Sequence, residues 1–207
     1  MKRKRGLILI LGGLLLLAAA GGLSAYNVWD ADRAGVVSEA ALETLDQRIP
    51  VLEELDLPEE LIPDHILNPK MDMPTQEVDE YKYIGRIDIP VLELSLPVME
   101  SWSYPKLKVA PCRYRGSAYL DNLIIAAHNY DRHFGRINTL LPGDEVIFTD
   151  TDGNIFNYTV SELEQLNPTD VREMISGDWD LTLFTCTLGG QYRVTVRCVR
   201  EDTAPEL

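Results

Sequence analysis

The sequence predicts a mainly β domain. It reads as a closed barrel of about eight short strands with a few short helices, held behind an N-terminal membrane-spanning helix and a helical stalk. Three observations lead there. From Tyr81 onward, short apolar or alternating runs recur along the chain. Turn signals built on Pro, Gly and Asp separate them, and the helical stretches between are few and short, a spacing that favours closure over an open sheet. The third observation is the start of the chain, where Lys2-Arg3-Lys4-Arg5 precedes an uncharged, mostly apolar run from Gly6 to Leu23.

That apolar run is about as long as the ~20 residues a spanning helix needs. The positive-inside rule places residues 1–5 in the cytoplasm and the remainder outside. Ala18-Ala19-Ala20 resembles a signal-peptide cleavage site, but the run exceeds the ~7–15 residues of a signal h-region, which favours a retained anchor over 6–23. Either way the domain is exported. Residues 24–48 read as a stalk helix, with Ser24 as cap. Val28, Val36, Val37, Ala40, Ala41 and Leu45 recur near the helical period, and Asp30, Asp32, Glu39, Glu43 and Asp46 take the polar side.

Between 49 and 80 the composition changes. Pro50, Pro58, Pro63, Pro69 and Pro74 alternate with acidic residues and exclude long regular structure, so 24–80 is read as stalk plus linker. One short turn is expected over Leu57–Ile62. A lid role for this linker is weighed, with a plain spacer preferred.

The barrel is expected over 81–207. Tyr83–Ile89 alternates and stops at Pro90, and Leu92–Val98 follows, with Pro97 pushing its far end toward an edge. Lys108–Ser117 carries Pro111-Cys112-Arg113-Tyr114 before Gly116. Asn122–Ala127 reads as a strand buried on both faces and ends at His128-Asn129. A helical turn is expected over Phe134–Leu140 and a turn at Pro142-Gly143-Asp144. Glu145–Phe148 and Ile155–Val160 flank Asp152-Gly153, a hairpin signal. Asn167-Pro168 is expected to start a helix that ends at Gly177. Leu181–Cys186, Gly189-Gly190 and Arg193–Val199 make a final strand, turn and strand.

Composition excludes some functions. The net charge is −14, and setting aside the +4 of the basic tip leaves the exported part near −18, which argues against nucleic-acid binding. Cys112, Cys186 and Cys198 are an odd number for an exported protein, so at least one thiol is free. A Cys112–Cys198 bridge is not favoured, because a small buried thiol accounts for Cys198 within its strand. Asp150-Thr151-Asp152-Gly153-Asn154 begins like a calcium loop, but Ser161 stands where the bidentate Glu belongs, so a hairpin turn is preferred. His65 and His133 are read as surface residues.

Cys186 ends one strand and Arg193 begins the next, so a hairpin brings the thiol near a permanent cation. His128 ends another buried strand, and neighbouring strand ends share a rim of a barrel. Cys plus His is the minimum for thiol acyl transfer: the imidazole moves the proton and the thiolate attacks. An arginine beside them stabilises the oxyanion that forms. Arg197, an even step further on, is the rival cation, but Arg193 starts the strand nearest Cys186 and is preferred.

These residues resemble the sortases, membrane-anchored cysteine transpeptidases of Gram-positive surfaces, over roughly Tyr81–Val199. Leu183-Phe184-Thr185-Cys186 is similar to the family's TLxTC, followed by an arginine in the next strand. His128-Asn129 stands where the family has its histidine, and Leu141–Val146 is like its LxxGD turn. The resemblance implies Cys186 as nucleophile, His128 as general acid/base and Arg193 as the substrate- and oxyanion-binding group. Asn129, Thr185 and Cys112 are the substrate-binding candidates; Cys112 and Tyr114 fit groove lining and plain packing equally well, and Asn129 fits orienting His128 or capping the strand end. No metal and no cofactor are implied.

The implied partners are surface proteins with a C-terminal LPxTG-like sorting signal and an amine acceptor from a peptidoglycan precursor or a pilin. Ala127 before the histidine and the short Gly189-Gly190 connection depart from many members and bear on subclass, read as class B-like or another non-housekeeping type. Two other readings stay open: a cell-envelope cysteine hydrolase using the same pair, and a non-enzymatic envelope domain with an inert Cys186.

Overall fold

The computed structural model describes residues 2–50 and 63–201. Its strands are β1 (Gln76–Val78), β2 (Tyr81–Ile89), β3 (Leu94–Met99), β4 (Cys112–Arg115), β5 (Leu123–Ala126), β6 (Glu145–Asp150), β7 (Ile155–Leu166), β8 (Leu181–Cys186) and β9 (Arg193–Arg200). The helices are α1 (Lys2–Asp46), α2 (Asp64–Leu67), α3 (Tyr104–Leu107) and α4 (Val171–Ile175), with 3-10 turns at Pro90–Leu92, Ala118–Leu120 and Phe134–Thr139. Around the sheet the order is β1-β2-β3-β4-β5-β8-β9-β7-β6, and β6 pairs back onto β2. That pairing closes β2 to β6 into a ring of eight strands, so among the described strands only the short β1 is left with a free edge. β1 is a short addition along the N-terminal part of β2, so the sheet begins within the segment read as linker.

Closure depends on Gly85. A bulge between Tyr83 and Gly85 bends β2 from β1 toward β6. Gly85 sits at φ 152°, and a Cβ there would lie 2.0 Å from the Thr149 carbonyl oxygen. Any side chain would push β6 off its partner. Inside the ring, period-two alternation delivers Ile87, Ile89, Leu96, Val98, Leu123, Ile125, Phe148, Phe156, Leu181, Leu183 and Val196 to one core. Each fully buried large side chain contributes roughly 1.5–3 kcal/mol.

The segments read from sequence as anchor and stalk are one helix. Nothing in Ser24–Leu45 breaks the period, so α1 runs unbroken from Lys2 to Asp46, and its N-terminal part is long and apolar enough to cross a membrane. Its C-terminal half lies on the barrel through only part of the expected stripe: Ala41 and Leu45 are buried as expected, while Val28 is exposed. Val36 and Val37 are exposed, whereas Ala34, Ser38, Ala41 and Leu45 are buried. Small residues win this face because they let the helix axis approach closely. Ala41 and Leu45 pack with Val78, Tyr83, Met99, Ala110 and Cys112 in a second core. Asp46 pairs with Arg86 at 3.0 Å, Arg48 donates to the Glu77 carbonyl at 2.6 Å, and Glu39 pairs with Arg132.

One expectation needs correction here, while the hairpin turn at Asp152-Gly153 and the unbridged cysteines are as expected. The helix expected from Asn167 begins only at Val171. Asn167-Pro168 instead forms a turn, closed by the Asn167 amide donating to the Asp170 carboxylate at 3.1 Å. Asp150 accepts from the amides of Asp152 and Asn154 and from the Tyr119 hydroxyl, so 150–154 is a hairpin turn. All three cysteines are free. The turn expected over Leu57–Ile62 and any lid role of that segment lie outside the described residues.

His133 is not a surface residue. It is fully buried beneath α1, and its ring nitrogens have no hydrogen-bond partner among the described residues. Burial pushes its pKa down to about 4. The native state therefore binds fewer protons than the unfolded chain between about pH 4 and the ordinary histidine value of ~6.5, and stability is lost as pH falls through that window. The loss is on the order of 3 kcal/mol. Thermal unfolding at pH 7.5 and pH 4.5 checks this: the Tm difference is expected to shrink in His133→Phe.

Candidate active site

One face of the barrel wall carries the site. On β5, β8 and β9, odd and even positions point to opposite sides. Leu123, Ile125, Leu181, Leu183, Val196 and Cys198 face the core, leaving Ile124, Ala126, Thr182, Phe184, Cys186, Arg193, Thr195 and Arg197 outside. β5 and β8 run parallel with Ala126 opposite Phe184. Two residues further along both chains, His128 comes level with Cys186. β8 and β9 are antiparallel, with Cys186 directly opposite Arg193. Cys186 and Arg193, paired on β8 and β9, and His128, two residues past the end of β5, therefore form one transverse row at the end of three neighbouring strands, which lie ~4.8 Å apart.

Local bonds hold the row in place. The Ala127 amide donates to the Phe184 carbonyl at 3.1 Å, and Thr185 Oγ1 donates to the Ala127 carbonyl at 2.9 Å, fixing the end of β5 to β8. The connection from Cys186 to Arg193 is a tight turn. Thr187 and Tyr192 bond through N to O at 2.9 Å and through Tyr192 N to Thr187 Oγ1 at 3.1 Å, with Gly189 and Gly190 at φ 84° and 73°. Consecutive positive φ values suit glycine, so the Gly-Gly pair is what lets so short a loop join the two strands.

All three side chains line a cleft of about 210 Å³. Ala126, Phe184 and Thr185 lie in it beside them. Trp102, Tyr104 and Leu107 form one wall together with Tyr114, and Pro168, Asp170, Val171 and Met174 form the other. The rings pack on one another: Trp102 lies tilted 5.6 Å from Tyr114, which meets Phe184 edge-on at 5.3 Å. The cleft is thus largely apolar, with its polar groups concentrated at the row of three, the usual form of a site that binds an extended apolar segment and acts on one bond.

The electrostatics divide the row. Burial, with a smaller contribution from Lys108, holds the His128 pKa below the ordinary histidine value, while Asp30 opposes them. A largely neutral imidazole near neutral pH can accept the thiol proton. Arg193 Nη1 makes only long contacts, to the Gly190 and Tyr192 carbonyls at 3.3 and 3.4 Å, and has no carboxylate partner among the described residues. Its remaining donors are available to a ligand. Arg197 differs completely. It is 2% exposed and bonds Glu164 Oε1 at 2.7 Å, Thr182 Oγ1 and the Met174 carbonyl at 3.0 Å, and the Glu173 carbonyl at 2.7 Å.

The remaining sequence candidates separate. Thr185 reaches the cleft while its hydroxyl ties β8 to β5. Cys112 does not reach it. A bulge at Arg113/Arg115 leaves Tyr114 as the extra residue, turning Tyr114 to the cleft and Cys112 to α1, where it is fully buried with its thiol pushed up to about 12. Asn129 lies beyond the strand and does not line the cleft; its carbonyl faces Gly135. Trp102, Tyr104 and Val171 are not identifiable from sequence, because they lie on or beside helices of four and five residues, too short to show periodicity.

A family model described as the sortase domain matches residues 87–201, more than half of the chain. The chain belongs to the sortase family. Sortase A of Bacillus anthracis is 25% identical over 187 residues, covering 87% of this chain and 83% of that protein. The structure of a Clostridium perfringens sortase D5 transpeptidase aligns with TM-score 0.56 and 22% identity, covering 79% of this chain and 99% of that one. Sortase C1 of Streptococcus agalactiae aligns with TM-score 0.54 and 21% identity, covering 80% and 90%. These relatives carry class A, C and D names, so the likeness follows the sortase barrel common to them rather than one class. The closed eight-strand ring and the long apolar N-terminal helix agree with the sortase fold read from sequence.

Proposed function

We propose that this sortase is a cysteine transpeptidase that cleaves an LPxTG-like sorting signal and transfers the acyl group to an amine. The row His128–Cys186–Arg193 at the floor of an apolar cleft is the observation that supports it. Cys186 attacks the carbonyl of the scissile peptide bond as thiolate, its proton having passed to His128. Arg193 donates to the developing oxyanion. His128 then protonates the departing amine, leaving a thioacyl enzyme. An acceptor amine, from a peptidoglycan precursor or a pilin lysine, attacks the thioester and gives its proton to His128, and Cys186 is regenerated.

A Clostridium perfringens sortase C has been solved with the C-terminal cell wall sorting motif, which favours the same substrate class for the cleft here. We assign residues 1–5 to the cytoplasm and 6–23 to a single membrane span. The stalk and linker follow to about residue 75, where β1 begins, and the catalytic barrel lies on the outer surface, next to anchored substrates.

The test is incubation of the full chain in detergent with a sorting-signal peptide, with and without an amine acceptor. Ligated product that grows with amine concentration is expected. Release to water alone, unaffected by amine, would instead establish the hydrolase.

A further inference from the structure

The membrane-proximal part of α1 reaches the catalytic row. The Tyr130 ring stacks on the His128 imidazole at 4.7 Å between centroids and 18° between planes. On its far end, the Tyr130 hydroxyl donates to Asp30 Oδ2 at 2.7 Å. Asp30 is buried at 7% exposure, although it lies just beyond the apolar segment of α1. Its other contacts are Arg33 at 3.0 Å and Lys108 at 3.8 Å. Such a carboxylate is hard to explain as part of a plain stalk. A spacer helix would leave it in water with Asp32 and Glu43.

We propose that Tyr130 is the positioning residue for His128 and that Asp30 of the anchor helix completes this device. The helix that holds the enzyme at the membrane thereby contributes to its acid/base group. The inference rests on the acid/base role of His128 proposed above.

The physical reasons are two. A flat, stacked phenol fixes the plane of the imidazole, which hangs from a strand end with no backbone ladder beyond it. A phenol that donates to a carboxylate is also richer in electrons, and with the Asp30 charge behind it favours imidazolium over imidazole. The charged and titratable groups around His128 are Tyr130 and His133 on its own segment and Lys108 from the α3–β4 connection. Cys186 and Arg193 lie across the sheet, and Asp30 and Arg33 on α1. Burial and Lys108 hold the His128 pKa down, and Asp30 opposes them. The Tyr130 bond, as the largest cause, lowers the pKa of Asp30, so the carboxylate stays charged.

The test uses the full chain in detergent with 13C-labelled histidine. The ring resonance of His128, assigned by its loss in His128→Ala, is titrated in wild type, Asp30→Asn and Tyr130→Phe. Both variants keep shape, and thermal unfolding verifies their folding. The expected result is a His128 midpoint moved to lower pH in both, and furthest in the double variant. Transpeptidation falls roughly tenfold in kcat/KM, and its pH profile moves in the same direction.

Superimposable titrations and pH profiles, beside an inactive His128→Ala, overturn this inference alone. An active His128→Ala overturns the role of His128 and this inference with it.

Discussion

Cys186→Ala is expected to form no thioacyl enzyme and to lose transpeptidation by about four orders of magnitude or more. The residue is paired with Arg193 and shares the cleft with His128, and it is the cysteine among the residues that line that cleft. Of the other thiols, Cys112 lies under α1 and Cys198 in the core, both fully buried and both pushed up to about 12, so neither serves as a substitute nucleophile. His128→Ala is expected to cost nearly as much. The double variant should be scarcely worse than either single one, because a nucleophile and its base act as a unit. Mass spectrometry of the protein after exposure to a sorting-signal peptide checks the first step directly. An acyl adduct on wild type that persists in Cys186→Ala would refute the assignment.

The two arginines of β9 are expected to fail in opposite ways. Arg193→Ala should fold as wild type does and lose roughly 10²–10³ in kcat, the usual cost of one oxyanion donor. Its side chain has no partner that folding needs. Arg197→Met should leave the row intact but uncover four acceptors at once: Glu164, Thr182 and the carbonyls of Glu173 and Met174. Glu164 is partly solvated, so the cost comes mainly from the buried acceptors left without a donor, about 1–3 kcal/mol. In a domain of this size that lowers Tm by several degrees. Arg197 also ties α4 to the barrel, and α4 carries Met174 in the cleft wall. The folded fraction of Arg197→Met should therefore show a raised KM with kcat nearly unchanged. Calorimetry beside steady-state kinetics separates the two arginines. An inactive but fully stable Arg197→Met would reverse their assignment.

How much of this was legible in the chain depends on the range of the signal. Leu123–Ala126 and Leu181–Cys186 read as buried strands from their own residues, and the period of two carries that information over a few positions. His128, Cys186 and Arg193 were found because each ends or begins such a strand. Asp30 is the opposite case. In sequence it belongs to the polar side of a stalk, and only the docking of α1 removes it from water. His133 likewise reads as a surface histidine between Arg132 and Phe134. Its burial is set by Ala34, nearly a hundred residues earlier. Cys112 and Tyr114 were equivalent under strict alternation, and a bulge, which depends on the partner strand, separated them.

The sequence by itself determined the long apolar N-terminal helix, the β domain and the residues proposed for acyl transfer, because these rest on local periodicity and on chemistry that few side chains can supply. Tertiary structure alone decided which face of α1 is buried, which arginine is free, and what stands behind the histidine. Those outcomes depend on closure of β6 onto β2 and on small residues letting α1 lie against the barrel. Contacts between residues far apart in the chain fix both, and no window of sequence contains them.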